Sequence, residues 1–70
     1  MNVSIGQYFL YDNAIFVTQQ YDLEKEGYYG ICIASRNCDK YYIGEEIHLD
    51  KRIEVEIVST TRLEEFISKD

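Results

Sequence analysis

Glu46, His48, Glu54 and Glu56 are the side chains best suited to chemistry in this 70-residue sequence. One imidazole and three carboxylates make a donor set that a metal ion accepts, and the same groups serve as general acid and base. Either use needs convergence in a pocket, and a flat strand face does not build one. No metal centre and no catalytic pair is therefore expected there, and His48 is expected as a surface residue beside Glu54. Cys32 and Cys38 have the spacing C-x5-C, which matches no zinc or redox motif, so both read as structural or incidental thiols. Arg36 and Lys40 flank Cys38 in the one locally basic loop, which suits an anion such as the phosphate of a small ligand. The pairs Tyr28-Tyr29 and Tyr41-Tyr42 add rigid, amphipathic surface of the kind common at contacts. With no nucleophile–base pair, phosphate loop or metal signature, neither an enzyme nor a cofactor is expected.

Charge narrows the partners. Thirteen acidic residues against seven Lys and Arg leave a net charge of −6. That balance opposes direct binding to nucleic acid, whose phosphates demand cations, and opposes docking on an anionic membrane. It favours a protein partner with a basic surface. No apolar run approaches the ~20 residues needed to span a bilayer. Two cysteines, with strand-like sequence close behind Met1 and no leader pattern, predict free thiols in a reducing cytoplasm. Residues 1–70 form one domain, which at this size buries only about 60% of its unfolded surface.

The elements that must position these residues are short strands. Apolar residues alternate in short runs, and proline is absent. Gln7–Tyr11 and Ala14–Tyr21 read as a hairpin around Asp12-Asn13, residues that tolerate a tight turn with positive φ. Tyr28–Ala34 is a third strand after a charged loop. Glu46–Leu49 and Ile53–Ser59 read as a second hairpin across Asp50-Lys51-Arg52. The period then changes. Thr61 and Glu64 fit a capping box, and Leu63, Phe66 and Ile67 form one apolar stripe on a helix over about residues 62–68. The fold class is mainly β: a small five-stranded antiparallel SH3-like barrel, or strongly curled sheet, with a short C-terminal α-helix.

Alternation across strands assigns faces. A three-residue loop pairs Leu49 with Ile53 and Ile47 with Val55, which sets His48 opposite Glu54 and Glu46 opposite Glu56. Pairing Ile31 with Ile43 and Ile33 with Tyr41 sends Tyr29 and Tyr41 inward and Tyr28 and Tyr42 outward, with Tyr28 opposite Glu46. One outer face then carries Tyr28, Tyr42, Glu46, His48, Glu54 and Glu56. From this face the expected function is a non-catalytic binding module acting by protein–protein contact. It would be an inhibitor of the phage or mobile-element type that blocks a basic, nucleic-acid-binding surface of a host protein. The alternative is a homo-oligomer that sequesters a nucleotide-like ligand at its subunit interfaces. There Tyr28 would stack on the base, and Arg36, Lys40 and Arg52 would read phosphates. Both faces of the first hairpin are apolar, so one of them must meet the helix or another subunit.

Overall fold

The Asp12-Asn13 pair makes the predicted tight turn. Both residues take positive φ, 51° and 63°, as a two-residue loop that matches strand twist requires. In the computed structural model, which describes residues 2–68, this turn joins β1 (Tyr8–Tyr11) to β2 (Ala14–Asp22), with Tyr11 opposite Ala14 and Tyr8 opposite Val17. Beyond β2, the Asp22 carboxylate accepts the backbone N–H groups of Glu24 and Lys25 at 3.0 and 3.2 Å. This side-chain turn reverses the chain into β3 (Gly27–Ser35).

β4 (Glu46–Asp50) pairs with β3, but the predicted second hairpin does not form. β5 (Glu56–Val58) lies at the far edge of the sheet on β1, with Ile57 opposite Phe9, giving the strand order β4-β3-β2-β1-β5. All five strands are antiparallel in one sheet, and its two edges do not bond to each other, so it is not a closed barrel. Ile53 and Val55 lie in the link between β4 and β5 and pack against the core. Their alternating pattern comes from a crossing segment that faces the core on one side, and that pattern is indistinguishable from a strand's. The six steps from Asp50 to Glu56 reach ~20 Å at most. Four strand spacings in a flat sheet already come to ~19 Å. A link that must also pass over the core therefore requires the sheet to curl.

The β3–β4 register differs from the prediction by three residues: Ile31 faces Glu46, Tyr29 faces His48 and Tyr28 faces Leu49. The cause is a turn at Tyr42–Glu45. Gly44 takes φ of 92°, Glu45 N–H donates to the Tyr42 carbonyl, and the Glu45 carboxylate accepts the Tyr42 N–H. Residues 41–43, predicted to lie opposite Ile33 and Ile31, are thus loop. An odd shift exchanges faces. Tyr28 packs against the main core cluster and Tyr29 lies on the opposite side, the reverse of expectation; Tyr41 is buried and Tyr42 exposed, as expected.

Each face of the sheet has its own apolar layer. On one, Phe9, Phe16, Cys32 and Leu49 are covered by Val3 from the N-terminal segment, by Tyr41 and by the β4–β5 link. On the other, Ile15 and Ala34 with Leu10 and Ile33 meet α1 (Thr60–Ser68) through Leu63 and Phe66. Ile33 is the extra residue of a bulge: Phe16 faces Cys32 and Ile15 faces Ala34, which places Ile33 and Ala34 together under the helix. The helix thus answers the two-faced hairpin. It starts two residues before the predicted boundary because its cap is Ser59, whose hydroxyl accepts the Arg62 N–H at 3.2 Å. With Arg62 at the third helical position, the Thr61/Glu64 capping box is not the one used. Among the described residues no helix is long and apolar enough to cross a membrane.

Candidate interaction surface

The six residues predicted to share one outer face are dispersed. Tyr28 is half-buried on the loop-covered core face, its ring edge-on to Tyr21 at 4.8 Å. Tyr42 is 68% exposed in the turn before β4. Glu46 and His48 lie on β4, while Glu56 begins β5 at the opposite sheet edge and pairs with Arg62 at 3.7 Å. Glu54 is exposed in the link. His48 therefore does not face Glu54, and Glu46 does not face Glu56. Instead the His48 ring meets Tyr29 edge-on at 5.1 Å, and its Nε2 is buried without a hydrogen-bond partner among the described residues. The ring occupies space that exists because Gly27 has no side chain. A Cβ there would overlap both His48 and the Leu49 carbonyl.

The residues of the alternative ligand site are also separated. Tyr28 lies at the start of β3 and Arg36 directly after its end, ~25 Å apart by strand rise. Each cation is engaged within the chain. Lys40 Nζ lies 2.7 Å from the Asp12 carboxylate, which also accepts the Tyr41 hydroxyl at 3.1 Å. Both contacts, that from Lys40 first, hold Asp12 below the ordinary carboxylate range, and Lys40 is raised in turn. Burial is the main cause that raises Tyr41. Arg52 bonds both oxygens of Asp50 at 3.0 and 3.2 Å. With the Arg52 backbone N–H also donating to it, Asp50 is pushed down to about 2. The Arg36 guanidinium donates to the Phe66 carbonyl at 2.8 Å and stacks over that ring at 4.2 Å, tying β3 to the end of the helix.

The remaining cations follow the same pattern. Lys51 pairs with Glu26 at 2.8 Å, which lowers Glu26 and raises Lys51. Lys25 donates to the Tyr29 hydroxyl at 3.1 Å and is raised by it, while that hydroxyl donates to Asp22. By contrast Glu24, Asp39, Glu46, Glu54, Glu64 and Glu65 are exposed and form no ion pair among the described residues. The negative charge is therefore presented outward while the described cations are engaged internally.

Of the two thiols, Cys32 is buried in strand β3, raised by that burial and bonded to the Ala34 carbonyl; Cys38 is exposed in the connection. Sequence reasoning missed a groove of about 500 Å3 between the end of β3, the helix and the loop before β4, lined by Ile33, Ile43, Phe66 and Ile67, with Arg36 at its edge. The available signal was Ile43, a large aliphatic residue directly before a glycine that turns the chain. Among known proteins, no family model matches this sequence, and neither a curated protein nor a solved structure matches it.

Proposed function

We propose that the chain is a non-catalytic binding module that contacts a basic surface on another protein. The observation that carries this reading is the asymmetry of charge satisfaction. Every described lysine and arginine is paired or hydrogen-bonded within the chain, whereas the exposed carboxylates of Glu24, Asp39, Glu46, Glu54, Glu64 and Glu65 have no counterion among the described residues. Exposed carboxylates of one sign steer a cationic partner and repel nucleic acid and anionic membranes. Acting by occupation, such a module is an adaptor or an inhibitor of whatever else the basic surface binds.

Native mass spectrometry of the chain incubated in a lysate of its source cell tests this. The expected result is a protein partner with a basic surface, retained at low salt, released at high salt, and lost with Glu46→Gln/Glu54→Gln/Glu64→Gln/Glu65→Gln. A partner kept equally well by that variant, or a small-molecule ligand in place of a protein, would refute the reading.

A further inference from the structure

The helix covers only part of the face on which it lies. Leu10, Ile15 and Ala34 pair across β1, β2 and β3 and form the row that meets Leu63. The neighbouring row is Tyr8, Val17 and Ile31, closed at the β4 end by Glu46. Val17 and Ile31 remain partly exposed, outside the layer that the helix seals. Two residues along β3 from Ile31, Ile33 leads into the groove beside the helix end. On the groove's rim Ile43 is 75% exposed and Ile67 58%. The result is an apolar row across a curled sheet that leads through Ile33 to a groove bounded on one side by the helix.

We propose that this groove, with the Val17–Ile31 row beside it, receives an amphipathic basic helix of the partner protein. The inference rests on the reading that the partner surface is basic, and it adds where and how that surface docks. Charge complementarity identifies the occupant. Glu46 ends the apolar row, and Glu64 is three residues before Ile67 on the helix, hence its surface neighbour. Glu65 lines the adjoining cavity with Arg36 and Arg62. All three carboxylates are exposed and lack an ion pair among the described residues. The two arginines nearby are engaged, Arg36 by Phe66 and Arg62 by Glu56. An apolar floor with an acidic rim fits a helix whose leucine-like stripe enters the groove and whose lysines or arginines meet the rim. A neutral or acidic helix leaves the rim carboxylates unpaired against an apolar ligand.

The probe is an amphipathic leucine-lysine peptide of about 15 residues, long enough to form a helix, with a scrambled peptide of the same composition that has no apolar stripe. Binding is read by fluorescence anisotropy, and the site by amide shifts in the wild-type chain. The amphipathic peptide is expected to bind about tenfold more tightly than its scrambled control, with shifts at Ile31, Ile33, Ile43 and Ile67. Ile43→Asp/Ile67→Asp is expected to remove that preference. Both side chains are exposed, so the fold should survive, and the wild-type shift map decides the matter if it does not. Equal binding of both peptides, with shifts spread over Glu24, Asp39 and Glu54, overturns the groove while leaving a basic partner in place. If neither peptide binds, both readings fall. A dimer seen by light scattering, dissolved by the double variant but not by the peptide, overturns the proposal by assigning the groove to a second copy.

Discussion

On one face of the sheet Phe9 and Phe16 stack at 5.4 Å and Tyr41 meets Phe16 edge-on at 5.3 Å, all three buried under loops. On the other, Leu63 is the helix's buried side chain, and Ile67 one turn later is 58% exposed. The difference lies in the covering element. Irregular chain bends to the contour beneath it, and Val3, Tyr41, Ile53 and Val55 all pack into this one cluster from separate segments. A straight helix of nine residues is only ~13 Å long and cannot follow a curled sheet, so it seals one row and leaves the next open. Regular structure gives the weaker closure here, and the apolar surface it leaves over is the part with room for a partner.

Substitutions can break this contrast. The largest effect is expected from Phe16→Ala, which empties the centre of the loop-covered face. A loss of ~3–5 kcal/mol from a domain whose total stability is on the order of 5 kcal/mol should leave it largely unfolded in urea titrations. On the helix side, Ile43→Ser should change stability by less than ~0.5 kcal/mol, as for other exposed positions. Comparable losses at the two sites would mean that both faces are equally closed.

Gly27→Ala comes next, at ~1–3 kcal/mol for overpacking. The added methyl must displace the His48 ring or the Leu49 backbone, so faster amide exchange should be confined to β4 and its pairing with β3. Exchange that rises evenly across the sheet would show that the β4 edge is not independent of the core.

The smallest effect is expected from Asp12→Asn, a residue that still accepts positive φ. Asp12 titrates below its ordinary value of 3.8 because it receives hydrogen bonds from Lys40 and Tyr41. Its stabilising contribution is thus complete above pH 3.8 and is lost as pH falls through the lowered folded value. Wild type should lose stability in acid more steeply than the variant, with the Tyr41 loop loosening first. Identical acid profiles would remove Asp12 as an anchor of the loop-covered face.

What the sequence revealed was mostly local. The Asp12-Asn13 hairpin, strand β3 and a C-terminal helix follow from neighbouring residues, because turn chemistry and short-range period decide them. The placement of β5 does not follow. Ile53, Val55 and Ile57 alternate as they would in a hairpin, and only the three-dimensional curl decides that the first two cross the core while Ile57 pairs with Phe9. The Tyr28/Tyr29 assignment failed because one turn, at Gly44, moved the register by an odd number of residues. The acidic residues were legible as a composition. Their predicted assembly on one face does not form, since it depended on the expected register and on a hairpin that is absent. The groove was hidden for a different reason. It exists because the helix stops covering the sheet before the apolar residues do, and no single segment records that boundary.

The pairing of β5 with β1 has a consequence for synthesis. Phe9 meets Ile57 across almost fifty residues of chain, and the helix that shields Ile15 and Ala34 follows directly after β5. A nascent chain therefore holds its first hairpin, apolar on both sides, before either the second bonding partner of β1 or the helix that covers that hairpin has been made. During that interval the edge of β1 offers its backbone groups to any other extended chain nearby. The same residues that make the finished sheet two-sided set the period in which the unfinished one is open to mispairing.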